Sequence, residues 1–244
     1  MRNLTKLAVL ASALVSCGAF AQSSSTITGS GTITPVACTL GITTGGVTTN
    51  YDWGTQTQTA WLAQLDASTN TAGPDYKGIG NLNHVLNVTC PSATKVALQF
   101  VDNHATSTPP AGANITSAGS PWTPTPFGLA DVNNANAHEG LFIMYNNSIT
   151  VNGGAVPGTK LRAANGTTSW AALVNGNQGT THSAHITPGY TYAFTPGTGA
   201  TAPVAITSIG GSIGSDTFLN RPYVAGVTTS SKFESSVTVS LRYF

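Results

Sequence analysis

Short alternating runs of apolar and polar residues dominate the chain, and few stretches follow the 3.6-residue period of a helix. β-branched and aromatic residues alternate with polar ones between punctuating Gly, Asn and Pro, which predicts strands. The predicted strands are Thr26–Thr34, Val47–Trp53, His84–Cys90, Lys95–Val101, Gly140–Val151, Tyr190–Phe194, Val204–Ile209, Tyr223–Thr228 and Phe233–Phe244. One helical turn is expected at Trp61–Leu65. Many short strands with frequent turns are typical of an all-β sandwich, which is the predicted fold class.

Two long polar segments interrupt the predicted strands. They run over Asn103–Pro126 and Ala163–Ser183. Apolar strands resume on both sides of each segment without a change in composition. We therefore expect one domain with enlarged loops.

The first 21 residues have the features of a secretory signal peptide. Arg2 and Lys6 accompany the apolar run Leu7–Val15, and Ala19–Ala21 supplies a cleavage site with small residues. The apolar run is too short to span a bilayer. The sequence ending at Cys17 also resembles a bacterial lipoprotein box, so a lipid anchor on Cys17 stays open as an alternative.

Removal of that segment leaves two cysteines, Cys38 and Cys90. In a secreted chain, two cysteines most simply form one disulfide. Zinc would need further ligands, and neither a C-x-x-C motif nor a nearby His pair supplies them. We therefore predict a structural disulfide between Cys38 and Cys90.

The composition excludes two classes of partner. Only 7% of the residues are charged, and the formal net charge is +1, whereas an average soluble domain carries roughly 25% charged residues. Nucleic-acid binding and polybasic membrane binding both need clustered Lys and Arg, which are scattered here. We expect no nucleic-acid partner and no direct membrane insertion.

The sequence offers no constellation of catalytic or metal-binding residues. His182 and His185 lack a third ligand at a suitable spacing. The acid–base pairs that can be drawn at His138-Glu139 and Asp102–His104 have no supporting spacing. Nucleophile-elbow and phosphate-loop motifs are absent. We expect a protein that is not an enzyme and uses no metal or cofactor, with a secreted β-sandwich hydrolase as a weaker alternative.

Both ends of the mature chain contain an alternating segment. Near the start, every second residue is apolar or glycine, and the residues between them are Thr or Ser. The apolar or glycine positions are Ile27, Gly29, Gly31 and Ile33. At the end, one parity is formed by Val237, Val239, Leu241 and Tyr243. The two glycines allow close approach to another backbone. The pattern fits either an ordinary sandwich or a fold that borrows a strand from a neighbour.

A resemblance adds to this pattern. The G-x-I-x-P-x-x-C run at Gly31–Cys38, together with the V-S-L-R-Y-F ending at Val239–Phe244, resembles subunits of chaperone–usher pili. More narrowly, the chain resembles the pilin-like proteins known as "beta-fimbriae probable major subunit". Further matching stretches are Val88–Cys90, Ala93–Leu98, Val101–Asn103 and Phe127–Leu129. The resemblance spans most of the mature chain. It departs at Ser231, where such C-termini often carry glycine, and in its longer loops.

The resemblance implies an immunoglobulin-like sandwich of the pilin type that lacks its final strand. The implied organisation is a signal peptide at 1–21, an N-terminal donor-strand extension at 22–34 and the sandwich domain at 35–244. In such pilins a periplasmic chaperone fills the open groove first. The extension of the next subunit replaces it at the outer-membrane usher, a form of strand addition.

By this resemblance, the two terminal patterns have complementary roles. Ile27, Gly29, Gly31 and Ile33 form the donor face. Val237, Val239, Leu241 and Tyr243 line the acceptor strand, and the carboxylate of Phe244 anchors the chaperone. The expected partners are copies of the chain or other pilus subunits, the chaperone and the usher.

The implied function is that of a structural subunit of a pilus on a Gram-negative bacterial surface, supporting adhesion or biofilm formation. The alternative is a carbohydrate-binding surface or tip adhesin that uses aromatic loops around Trp122 or Trp170.

Overall fold

The computed structural model describes most of the chain after Ala37. The described residues are 37–44, 53–72, 74–105, 115–117, 120–122, 126–132, 139–153, 159–173 and 185–244. Contacts divide the chain into two units, 1–35 and 36–244, and every described residue belongs to the second unit. The strands predicted at Thr26–Thr34 and over most of Val47–Trp53 lie outside the described residues.

Thirteen strands and two helices make up the described structure. The strands are β1 (Thr39–Thr44), β2 (Tyr76–Asp102), β3 (Ile115–Ser117), β4 (Ser120–Trp122), β5 (Phe127–Asp131), β6 (Gly140–Val151), β7 (Thr159–Ala164), β8 (Ala171–Leu173), β9 (His185–Ile186), β10 (Tyr190–Thr195), β11 (Ala205–Asn220), β12 (Phe233–Glu234) and β13 (Val237–Tyr243). The helices are α1 (Gln58–Ala67) and α2 (Arg221–Gly226). The all-β prediction is confirmed.

Eleven of the strands form two antiparallel sheets that share β2, and β3 and β4 form a separate antiparallel pair. In the first sheet the order is β1-β2-β11-β6, and β6 pairs on its far side with β5 and β9. In the second sheet the order is β13-β2-β10-β7-β8. Between residues 89 and 94 of β2, the register against β11 shifts and Pro91 is exposed. A bulge of this kind bends a strand and allows β2 to serve both sheets.

The hydrophobic core lies between the two sheets. Leu86, Val88 and Ile209 of the first sheet share one buried cluster with Leu98 and Phe194 of the second. Residues 86–90 of β2 alternate between buried and exposed because successive side chains point to opposite faces of a strand. In the second half of β2, Val96, Ala97 and Leu98 are all buried. Each fully buried aliphatic or aromatic side chain contributes roughly 1.5–3 kcal/mol. The all-β chain is therefore a sandwich with a shared core.

Both helices begin at capping residues. Thr57 accepts the Ala60 N–H at 3.2 Å before α1, and Asn220 accepts the Tyr223 N–H at 3.0 Å before α2. The helix predicted at Trp61–Leu65 is confirmed and extends over ten residues. The strand predicted at Tyr223–Thr228 is wrong, because the Asn cap and the proline in the first turn initiate α2 instead.

A lysine is buried in the second sheet. Lys160 on β7 is 1% exposed, and its Nζ donates to the carbonyl of His185 at 3.2 Å. Nζ also lies 4.8 Å from the centroid of the Tyr192 ring. Burial, and to a lesser extent the nearby Arg162 guanidinium, lowers the pKa of Lys160 to about 7. The charged form is therefore costly in the folded state.

We expect Lys160→Met to remove a pH dependence of stability. The pKa of Lys160 is lowered in the folded chain, so between about pH 7 and the ordinary lysine pKa of 10.5 the unfolded chain binds one more proton. The wild-type free energy of unfolding should rise with pH over that window, relative to the variant, by up to about 1.4 kcal/mol per pH unit. Urea unfolding of both proteins at pH 6, 7.5 and 9 measures the difference.

Lys232→Met is the matched control because Lys232 is exposed. Its effect on the free energy of unfolding should be small and should not follow the pH trend of Lys160→Met. A difference between wild type and Lys160→Met that stays constant from pH 6 to pH 9 would contradict the prediction.

Candidate functional site: the edges formed by β1 and β13

The C-terminal strand β13 is an edge of the second sheet. Its residues pair with β2 in continuous register, from Val237 opposite Asp102 to Tyr243 opposite Val96. Among the described strands, β13 pairs with β2 alone. One side of its backbone therefore has no strand partner in the described part of the chain.

The apolar side chains of β13 are only half-buried. Val237, Val239 and Leu241 pack against the cluster shared by the two sheets, whose own residues are buried. Thr238 is exposed, as predicted for the opposite parity, but Tyr243 of the apolar parity is exposed as well. The predicted alternation therefore does not extend to the end of the strand.

The strand β1 is the corresponding edge of the first sheet. It pairs with β2 from Thr39 opposite Thr89 to Thr44 opposite His84. Leu40 and Ile42 are half-buried and pack against the same core cluster as β13. The strand prediction missed β1, although Leu40 and Ile42 alternate visibly with their polar and glycine neighbours.

The predicted disulfide fixes the start of β1. Cys38 and Cys90 are bonded, their Cα atoms lie 4.2 Å apart, and both residues are buried. The bond joins β1 to β2 where β2 passes between the sheets. The disulfide prediction is confirmed.

A tyrosine hydroxyl joins the two edges. The Cys38 N–H donates to the Tyr243 hydroxyl at 2.9 Å, and that hydroxyl lies 3.4 Å from the Cys38 carbonyl oxygen. The end of β13 and the start of β1 therefore meet beside the disulfide. The two edges flank one side of the sandwich core, and each belongs to a different sheet.

The C-terminal residue packs beside this junction. The Phe244 ring contacts Trp170 edge-to-face, with centroids 5.2 Å apart, and the Arg242 guanidinium lies 5.2 Å from the same ring. The Phe244 N–H donates to the Lys95 carbonyl at 3.2 Å. Trp170, predicted as an alternative sugar platform, thus contacts the residue that follows β13.

Of the other residues singled out in the sequence, Asp102 has a structural role, and most of the rest lie outside the described residues. Asp102 accepts the His104 N–H at 2.9 Å and the Gly128 N–H at 2.8 Å, so its carboxylate organises the turn after β2. The donor residues Ile27, Gly29, Gly31 and Ile33, together with Cys17, His138 and His182, lie outside the described residues. The side chain of Trp122 is not among those that the structure describes.

The described residues contain neither a candidate metal site nor a candidate membrane-spanning helix. Within the described ranges, no group of three or more His, Cys, Asp or Glu residues is arranged to hold a metal ion. The helices described have neither the length nor the hydropathy to cross a bilayer.

Comparisons with known proteins add one family. A family model described as "Protein of unknown function (DUF1120)" matches residues 26–138, a region that includes Cys38, Cys90 and the whole of β1 and β2. This region of the chain is similar to that family. Comparison with curated proteins found no match, and comparison with solved structures found none.

Proposed function

We propose that the chain is a structural subunit of a bacterial surface pilus, assembled by exchange of strands between subunits. The observation that carries this proposal is the pair of edges formed by β1 and β13. They belong to opposite sheets, meet at Cys38 and Tyr243, and leave Val239 and Leu241 half-buried over the shared core. An added strand on this side would complete the backbone pairing and would cover these half-buried side chains.

The exposed edge of β13 lacks the features that usually block strand addition. Edge strands are commonly blunted by proline, inward charges or bulges. β13 contains no proline, its register against β2 is unbroken, and Arg242 is its one charged residue. In an antiparallel strand that is paired on one side, alternate N–H and C=O groups point to the other side. These groups are available to a donor strand.

The junction at Tyr243 would set the position of a donor. Because the Tyr243 hydroxyl contacts Cys38, the opening between the edges is narrow at that end. A donor would therefore lie alongside Val237–Leu241 and add apolar contacts over Val239 and Leu241. In this proposal the donor is the 22–34 extension of the next subunit, which presents Ile27, Gly29, Gly31 and Ile33.

The route to the surface follows from the same proposal. A periplasmic chaperone would hold the β13 edge first, with Phe244 as its anchor, and an outer-membrane usher would exchange the chaperone for the next subunit. The Cys38–Cys90 disulfide supports folding in an oxidising compartment such as the periplasm.

The test is an SDS gel of surface-sheared material, run with and without boiling and probed for this chain. Strand-exchanged polymers should remain as high-mass bands without heating and collapse to one monomer band after boiling, because their dissociation is kinetically blocked. A single monomer band in both lanes would contradict the proposal.

A further inference from the structure

A cavity of about 1140 Å³ lies away from the strand-exchange edges. Its walls come from residues 53–58 before and within α1, from the segment 227–236, and from side chains of β2, β5, β11 and α2. A volume of this size is sufficient for a small organic ligand. The residues of β1 and β13 do not line it.

One wall of the cavity is aromatic. The Trp53 indole packs over Gly80, where a Cβ would come within 2.6 Å of the ring. Trp61, which also lines the cavity, contacts Phe233 edge-to-face with the ring centroids 5.6 Å apart. Because residue 80 is glycine, the Trp53 indole can pack directly against its backbone. The contact with Phe233 holds the Trp61 indole in place.

Glu139, which lines the cavity, shares the Ser231 hydroxyl with a second carboxyl group, that of Asp131. The Ser231 Oγ lies 2.7 Å from Glu139 Oε1 and 3.0 Å from Asp131 Oδ2. A serine hydroxyl has one proton to donate, so only one of the two carboxyl groups can receive it. Both contacts of Ser231 are satisfied when Glu139 keeps its own proton and donates to Ser231, while Ser231 donates to Asp131. Asp131 Oδ2 also accepts the Tyr223 hydroxyl at 3.3 Å.

Burial supports the neutral form of Glu139. The residue is 2% exposed, and burial raises the pKa of its carboxyl. With the proton on Oε1, the other oxygen, Oε2, is a neutral acceptor. Within the described residues, Glu139 Oε2 has no hydrogen-bond partner, and neither does Ser235 Oγ; both residues line the cavity. A buried polar atom without a hydrogen-bond partner destabilises the folded chain.

The remaining polar lining is mainly uncharged. Hydroxyl and amide side chains predominate; they are Thr55, Gln56, Thr57, Gln58, Thr217 and the run Thr228–Ser231. Lys232 is exposed, and no arginine lines the cavity. A phosphate or sulfate group would require a cluster of cations. The carboxyl groups of the lining are those of Glu139 and the exposed Glu234.

We propose that this cavity binds a short, uncharged oligosaccharide. The apolar face of a sugar ring would stack on Trp53, and sugar hydroxyls would donate to Glu139 Oε2 and pair with the hydroxyl and amide side chains. This use of the protein is independent of strand exchange, because β1 and β13 take no part in it.

The experiment uses the full mature chain and four probes: lactose, maltotriose, mannotriose and chitotriose, each titrated by calorimetry at pH 6. At least one should bind. Trp53→Ala and Glu139→Leu should each weaken that binding by about tenfold or more, the equivalent of about 1.4 kcal/mol. Glu139→Gln should stay within about threefold of wild type, because its amide can donate to Ser231 and its carbonyl replaces Oε2.

Trp170→Ala is the matched aromatic control, because Trp170 lies outside the cavity and should leave binding unchanged. Thermal unfolding checks that each variant is folded; if Trp53→Ala is not, Trp53→Phe takes its place and should also weaken binding. Absence of binding to all four probes would overturn the proposal, as would full affinity in the Trp53 variant. Binding of choline that Glu139→Gln abolishes would also overturn it and would identify a cation site.

Discussion

A chain lacking residues 22–34 should run as a monomer in unheated SDS gels, whereas the full chain forms high-mass bands. Under the proposed function, that segment supplies the donor strand and the β1 and β13 edges accept it. The deletion removes the donor and leaves the acceptor unchanged. A synthetic peptide of residues 22–34, added to the purified truncated chain, should therefore raise its unfolding temperature by more than about 2 °C, which corresponds to about 1 kcal/mol.

Two substitutions on one strand provide the control. Val239→Ala shortens a half-buried side chain over the core, and Thr238→Ala shortens an exposed one. The first should reduce the stabilisation by the peptide, and the second should leave it unchanged. A peptide with Gly31→Trp should stabilise poorly because the bulky ring prevents close backbone approach. Persistence of SDS-resistant polymers in the truncated chain would show that the donor assignment is wrong.

Replacing both Cys38 and Cys90 by serine should lower the free energy of unfolding by about 4 kcal/mol, on the loop-entropy model for a closed loop of this length. The bond joins residues separated by 52 positions, and both sulfurs are buried. Urea unfolding of the oxidised wild type and the double variant measures the loss as a lower midpoint. Wild type unfolded in the presence of a reductant should lose the same amount. A loss below about 1 kcal/mol would contradict the prediction.

Alternation predicted the long strands well because burial on one face fixes a two-residue period. The strand predicted at Gly140–Val151 has those bounds in the structure, and the last predicted strand, Phe233–Phe244, is present as β12 and β13. The two strands predicted at His84–Cys90 and Lys95–Val101 belong to one bent strand, β2. Pro91 marks a bulge between them rather than an end.

The residues around Tyr223 carry signals for both a strand and a helix. Tyr223–Val227 is apolar and aromatic and favours a strand on propensity alone. The preceding Asn220 and Pro222 are helix-start residues, and they determined the structure. An apolar run should therefore be examined for a cap before it is assigned to a strand.

The cavity could not be predicted from the sequence because residues that are far apart in the chain form it. Ser231 lies 100 residues from Asp131 and 92 from Glu139, so their contact depends on how β5, β6 and the segment after α2 pack together. No spacing in the sequence indicates that contact. The acid–base pair drawn at His138-Glu139 singled out Glu139 but paired it with a neighbour outside the described residues.

The position of the disulfide also has a mechanical consequence. A pull on the chain upstream of Cys38 reaches the sandwich at a residue that is covalently bonded to Cys90 of β2. The force therefore passes directly into β2, which is hydrogen-bonded to β11, β10 and β13. The six-residue strand β1 does not have to bear that load through its own hydrogen bonds, which would otherwise separate one pair at a time. Under the proposed function, the bond would keep the β13 edge intact while neighbouring subunits of a filament are pulled apart.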